Sequence, residues 1–581
     1  IPRFTLPINS SRSLKNCKAL SSSHSSTPDA QSVHRLISNM SLFQEILAAR
    51  GLTGDHIADF LSPNYDIRHD PFLLPDMDKA VERLVIAREK QEKIMIYGDY
   101  DIDGLTATTV LIDAFSSFGF KHVEAFIPNR FVEGYGLTID AVETIAKAGA
   151  QLIVTVDCGS LSHKEIARAN ELGVDVIVTD HHMVSDTPPP AIATVNPKRA
   201  DHPYPFIDLA GVGVAFKLVQ ALQTRLDGLP AGNEKWLLDL VALGTVCDVV
   251  TLVDENRTNV YFGLKVLAKT RRPGLKALMA VARVEPITLN SRSLGFALGP
   301  RMNAAGRLET ARHSLDMLLA TDNETALDKA QQLDALNIAR RSDQDAIFKA
   351  AIIQAEQYAD DPVLVVSASD WNHGIVGIVA AKLLERYKKP TYVLQEMGDS
   401  AKGSARSYGD FSAVAAIRAS DDIITKGGGH RLAAGVTLPT ENIAVFRQRV
   451  NDFYRTLKLR DQTALLNAKA DVVIGDLSEV NEDLIDQLDQ LEPFGSGNPE
   501  PILKIEEVIV ADVRKMGADN QHVKLDIKDR TGRRMQVVAF NAPDHYFVQP
   551  GEVVTVLFQP SINEWQGSRS VEGRLLGVEI L

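Results

Sequence analysis

The sequence predicts an α/β protein built from two α/β lobes joined by a long helix, with a small β-barrel at the C-terminal end. Three observations predict it. Short apolar runs alternate with amphipathic helices between Ile94 and Thr179. The stretch from Asp322 to about Ala359 contains neither Pro nor Gly. From Asp471 onward, strand-like runs separated by turn residues dominate. Alternation of the first kind marks a parallel sheet with crossover helices, in which ligands sit beyond the C-terminal ends of the strands.

Length and composition agree with several units. At roughly 100–200 residues per domain, the 581 residues divide into about three to five. A content of 45% hydrophobic and 24% charged residues excludes wholesale disorder and a fibrous chain. The net charge of −13, from 62 basic and 75 acidic side chains, excludes a protein that coats nucleic acid by bulk attraction. It leaves room for a local basic patch, and metal-binding carboxylates contribute to the total. Three widely spaced cysteines, Cys17, Cys158 and Cys247, provide no disulfide framework and no thiolate zinc site. No apolar run reaches transmembrane length, so no membrane partner is expected.

Along the chain, residues 1–32 form a leader excluded from the fold. Up to Pro28 it holds four basic residues, eight serines and no acid, which fits either a transit-like segment or disordered sequence without a role. Residues 33–320 make N-terminal helices and the first lobe. Its strands are IMIYG (94–98), HVEAFI (122–127), LIVTV (152–156) and VDVIVT (174–179), with helices at 104–119, 138–148 and 162–172 and a buried helix over 236–246. Residues 321–360 are the helical connector, roughly 55 Å long at about 1.5 Å per residue. Its apolar positions hold no strict heptad, which favours a connector over a coiled coil. Residues 361–462 restart an α/β pattern at VLVVS (363–367). Residues 463–581 carry five short strands, either a barrel or a sandwich.

Acids and histidines stand where strands end. IMIYG gives way to Asp99-Tyr100-Asp101-Ile102-Asp103-Gly104, LIVTV to Asp157-Cys158-Gly159, and VDVIVT to Asp180-His181-His182. The first of these alone would read as an acidic helix cap. A parallel sheet brings all three together, and Asp248, after the buried helix, can complete the set. Aspartates with one or two imidazoles suit Mn²⁺ or Mg²⁺ more than structural zinc. Two such ions can hold a hydroxide and neutralise a phosphoryl oxygen.

These motifs resemble the DHH phosphoesterase superfamily: GDYDIDG (98–104), FVEGYGL (131–137), TDHH (179–182), ALGTVCDVV (242–250) and GPRMNAAGRL (299–308) occur in its order. Within it, the chain resembles the bacterial single-strand-specific 5′→3′ DNA exonucleases, from about residue 40 to the end. The resemblance implies a DHH domain, a second lobe of the DHHA1 type and an OB-fold barrel. It implies two ions, Mn²⁺ or Mg²⁺, with Asp101 and Asp157 on the first and Asp103, Asp157, His181 and Asp248 on the second. Asp99 is then a supporting acid and His182 the contact to the scissile phosphate. Arg301, Asn303 and Arg307 line the cleft.

In the second lobe, His373, Ser404, Arg406, Gly428, Gly429 and His430 resemble a pocket for the 5′-terminal phosphate, the glycines curling their N–H groups around the anion. Tyr135 is a candidate base-stacking ring, and Lys515, Lys524, Arg530, Arg533 and Arg534 give the barrel local positive charge. The implied substrate is single-stranded DNA, cut to 5′-mononucleotides in repair and recombination. A helicase and a single-strand-binding protein are the implied partners, a monomer the implied state, and the bacterial cytoplasm the implied compartment, or an organelle if the leader is a transit peptide. A small-substrate phosphatase and a non-catalytic DNA-binding protein are the competing classes. The barrel speaks against the first, and the complete ligand set against the second.

Overall fold

The computed structural model describes residues 40–581 apart from 55, 135 and 566. The leader and Tyr135 therefore lie outside the described residues. The first sheet is fully parallel, with β1 (Ile94–Gly98), β2 (Val123–Phe126), β3 (Leu152–Val156), β4 (Asp175–Thr179) and β5 (Ala193–Val195) in the order β2-β1-β3-β4-β5. Alternate side chains divide between its faces. Ile94, Ile96, Leu152 and Val154 pack under the helices Ile102–Phe118, Gly211–Gln223 and Leu238–Cys247, while Met95, Tyr97, Ile153 and Val176 pack under Ile139–Lys147 and His163–Glu171. Burial on both faces explains why these strands read as unbroken apolar runs. The strand order reverses direction between β1 and β3, and this switch point opens a crevice at their C-terminal ends.

The helix Asn323–Gln357 runs unbroken for 35 residues from an Asp322 cap. Its buried positions, Ala326, Ala330, Leu333, Asn337, Arg340, Gln344, Ile347, Ala351 and Ala355, do recur every three or four residues. The apolar pattern looks broken because the middle three are polar. Leu333 packs on the first lobe and Ile347 and Ala351 on the second, whereas Asn337, Arg340 and Gln344 bond one another where the helix crosses between them.

The second sheet is mixed, a departure from a simple continuation of the first. β6 (Leu364–Ala368) and β7 (Thr391–Met397) are parallel across the helix Val376–Tyr387. β8 (Ser400–Arg406), β9 (Lys426–Gly429) and β10 (Ala433–Pro439) add antiparallel strands in the order β6-β7-β8-β10-β9.

The last unit comprises β11 (Val472–Ile474), β12 (Leu503–Met516), β13 (His522–Lys528), β14 (Arg534–Ala539), β15 (Val553–Trp565) and β16 (Ser568–Ile580). Pairing of β12 with β15 closes the last five into a barrel and disposes of the sandwich alternative. Three of its strands are long rather than short. Register shifts at Ile505/Val508, Val510/Asp512 and Leu557/Phe558 bend them, and that breaks the alternation along the sequence. One packing partner is remote. The helix Leu42–Ala49 inserts Leu42, Ile46 and Leu47 into the barrel's core rather than the first lobe's, and Arg50 pairs with Asp471 at 3.0 Å.

Candidate active site

The crevice at the switch point is lined by carboxylates that the local backbone holds in place. Asp101 caps the helix Ile102–Phe118, its side chain accepting from the N–H groups of Asp103 and Gly104. Gly104 lets the helix start against the end of β1, since a Cβ there would stand 2.5 Å from the Asp99 carbonyl oxygen. Asp103 accepts from the N–H groups of Gly211 and Val212, at 2.6 and 2.8 Å, at the start of the helix Gly211–Gln223. Asp157 follows β3 in a left-handed conformation, φ 63°, and Asp248 caps the C-terminal end of Leu238–Cys247. Backbone constraint is stored at Asp157 itself and, beside Asp248, at Val249, φ 61°.

These segments converge. His181 Nε2 lies 3.1 Å from Asp157 Oδ1, 3.5 Å from Asp248 Oδ2 and 3.7 Å from Asp103 Oδ2. It makes no hydrogen bond, and neither do Asp157 Oδ1 and Asp99 Oδ1, although all three atoms are buried. Donor atoms of Asp103, His181 and Asp248 fall within 4.8 Å of one another, as do those of Asp99, Asp101 and Asp157 and those of Asp157, His181 and His182. Asp99 thus falls within one of these groups, beside Asp101 and Asp157.

Electrostatics point the same way. Burial, with repulsion from Asp101, pushes Asp103 up to about 7. Burial with Asp103 and Asp101 pushes Asp248 up to about 9. Asp99 and Asp157 are also held well above the carboxylate range, by burial and by their acidic neighbours. Burial and the His182 charge bring His181 down to about 3, leaving it neutral and able to donate its lone pair. Buried, mutually repelling carboxylates beside a neutral imidazole, several of their atoms unpartnered, form a donor set that a hard divalent cation completes.

His182 is different. Burial would depress it, but its 2.9 Å hydrogen bond to Asp180 and the nearby carboxylates raise it. Asp180 also accepts from the backbone N–H groups of His181, His182 and Ser160, which fixes the ring's orientation.

Across the cleft, His373 bonds Gln395 Oε1 through both its N–H and Nδ1, and Phe131 meets its ring edge-on at 5.0 Å. Ser404 and Arg406 lie beneath Gly377, where a Cβ would come within 3.3 Å of both. Arg307, from the helix Gly299–Leu308, donates to the Gly374 carbonyl at 3.0 Å and so spans the two lobes. Burial and the charges of Arg130, Arg340 and Arg406 lower Arg307 to about 10.

The sequence did not single out Arg130 or Arg340. The signals for them were an arginine just ahead of FVEGYGL and a buried-register arginine in the connector. Asn303 sits half-buried on the same helix as Arg307. Arg301 does not enter the cleft set, because its guanidinium reaches Asp334 and the Ala297 carbonyl and fastens its helix to the connector.

The glycines do not curl into a turn either. Gly427–Gly429 form the exposed edge strand β9, and the His430 N–H closes its hairpin on the Ala433 carbonyl. Gly428 pairs with Gly435, which pairs with Ser404, so a shelf bare of side chains extends from Ser404 to the sheet edge.

Comparison with known proteins follows this architecture. Residues 93–245 match the DHH family N-terminal domain, 360–456 the DHHA1 domain and 471–576 the RecJ OB domain. The chain is 38% identical to the single-stranded-DNA-specific exonuclease RecJ of Bacillus subtilis, over 93% of this chain and 69% of that protein. It is 36% identical to that of Escherichia coli, over 86% and 89%. The crystal structure of Thermus thermophilus RecJ with Mn²⁺ superposes with a TM-score of 0.79 at 28% identity, covering 92% of this chain and 77% of that one.

Proposed function

The chain belongs to the RecJ family of single-stranded-DNA-specific exonucleases, and on that premise we propose that it degrades single-stranded DNA from the 5′ end to mononucleotides in repair and recombination. The observation that carries the reading is the gathering of carboxylates and His181, with orphaned donor atoms, opposite a cluster of arginines in a cleft.

Asp103, Asp157, His181 and Asp248 would hold one Mn²⁺ or Mg²⁺, and Asp101 and Asp157, joined by Asp99, a second. Bound there, the ions supply an acidified water and positive charge against the phosphoryl oxygens. The rest falls to the chain's own groups. Protonated His182, held by Asp180, donates to the scissile phosphate. Arg307, with Asn303 beside it, steers the backbone across the cleft, while Arg406, Ser404 and His373 take the terminal phosphate, with the Gly428–His430 edge beside them. Fixing the end next to the cutting centre gives polarity. Arg301 acts at one remove, by fastening the cleft helix.

Among the described residues no helix is long and apolar enough to cross a membrane. The reading places the work beside DNA in the bacterial cytoplasm, or in an organelle if the leader is a transit peptide. The enzyme works as a monomer, alongside a helicase and a single-strand-binding protein. The domain limits 33–320, 321–360, 361–462 and 463–581 belong to the same reading, except that the helix Leu42–Ala49 packs with the barrel.

Digestion of a 3′-labelled single strand in Mn²⁺, Mg²⁺ or chelator tests it, with 5′-phosphate and 5′-hydroxyl ends compared. Metal-dependent shortening from the 5′ end is expected, with duplex spared. No metal-dependent cleavage, or cuts scattered along the strand, would refute it.

A further inference from the structure

A cavity that shares no lining residue with the metal centre lies at the seam between the first lobe and the barrel. It offers about 250 Å³ and is lined by Arg292 from the lobe and, among others, by Glu500, Phe540, Gln559, Glu572 and Arg574 from the last unit, Glu572 lying 3.8 Å from Lys524 Nζ. Phe540, just past β14, keeps 69% of its surface exposed while its ring meets His522 edge-on at 5.3 Å, which leaves one face of the phenyl open to a stacking partner. Gln559 Oε1 is buried in the wall without a hydrogen-bond partner. Glu500 faces both guanidiniums, and burial holds its carboxyl above the usual range against their pull. Arg292 also lies 5.6 Å over the ring of Phe296, itself 72% exposed on the lobe side. One cavity thus presents an exposed ring, two guanidiniums, two carboxylates and the unpartnered Gln559 Oε1.

Those groups match the parts of a nucleotide. An exposed ring stacks on any base, and guanidiniums pair with phosphate. A buried acceptor without a donor is costly, and a ligand N–H relieves it. We propose that this cavity holds one nucleotide of the bound single strand, with Phe540 on the base, Arg292 and Arg574 on the phosphate, and Gln559 Oε1 and Glu500 accepting from an exocyclic amine. The proposal rests on the single-strand reading and adds base discrimination to it. Cytosine, adenine and guanine carry such an amine. Thymine instead offers carbonyl oxygens on either side of its ring N–H and would set them against the acceptors. The enzyme therefore reads one position of a strand that it otherwise binds without regard to sequence.

The test is fluorescence anisotropy in chelator, where no cutting occurs. The probe is a 3′-fluorescein oligothymidylate in which a single cytidine is walked through every position. One position is expected at which cytidine tightens binding about fivefold, with the effect erased in Gln559→Leu. Phe540→Ala, a surface change that leaves the barrel core intact, is expected to weaken every strand about fivefold or more. A flat profile in the wild type, a cytidine effect that survives Gln559→Leu, or wild-type binding by Phe540→Ala would each overturn the proposal. The same preparation is then given Mn²⁺ and unmodified oligothymidylate. Metal-dependent shortening from the 5′ end with a flat binding profile removes only the base-reading site, whereas no cleavage removes the exonuclease reading as well.

Discussion

At the residue scale, Asp157 belongs to two of the three donor groups of the centre, as His181 does, and its strained backbone is tolerated because the strand end and the β4 ladder hold it. Asp157→Ala should lower cleavage at least about a hundredfold, checked by gel assay in Mn²⁺, while DNA binding by anisotropy stays measurable. Asp180 predicts a pH effect. It raises His182, so the protonated imidazole persists to higher pH than it otherwise would. If that proton is donated, rate falls as pH rises through the His182 value, and Asp180→Asn should shift this descending limb of the rate profile to lower pH. An unshifted limb would show that His182 is not the donor. Asp101, Asp103, Asp157 and His181 were all legible in sequence because each follows an apolar run that can only be a buried strand. The arginines opposite were not, because arginine in a helix or loop carries no mark of burial. Arg340 shows this best: only the three-and-four register of its helix reveals that it faces inward.

At the element scale, the start of the helix Ile102–Phe118 shows two effects opposed. Replacing a helical glycine by alanine ordinarily gains about 0.5–1 kcal/mol. At Gly104 the new methyl would meet Asp99 backbone atoms at 2.5 to 2.8 Å, and overpacking of that kind costs about 1–3 kcal/mol. The clash wins, so Gly104→Ala should lower the melting temperature and, by displacing Asp99 and Asp101, weaken Mn²⁺ binding in calorimetry. The connector helix was visible as a run without Pro or Gly. Its polar middle was visible too, but only the fold explains it. The β9 glycines were misjudged for an opposite reason, since three glycines in a row specify neither a turn nor a strand until a neighbour such as β10 pairs with them.

At the scale of the whole molecule, the barrel is fastened to the first lobe by Arg257, whose guanidinium donates to the carbonyls of Phe60, Leu491, Glu492 and Pro493. Burial and Asp489 push Glu492 in this seam up to about 7. An acid with a raised value binds its proton more tightly folded than unfolded. Its contribution is fully present below about pH 4.5, declines through the window from there to pH 7, and is lost above it. Glu492→Gln should therefore raise the melting temperature at pH 8 and leave it nearly unchanged at pH 4.5, as calorimetry at the two pH values would show.

The helix Leu42–Ala49 is itself fastened to the last unit, and Arg50 at its end meets Asp471 across 421 residues of sequence. On the ribosome this arrangement imposes a delay. At roughly 5–20 residues per second, the apolar face of the helix waits tens of seconds for the barrel that covers it. The nascent chain must spend that interval with the hydrophobic side of this helix uncovered, and a messenger truncated before the barrel would leave it so permanently, a ready target for chaperones and proteases.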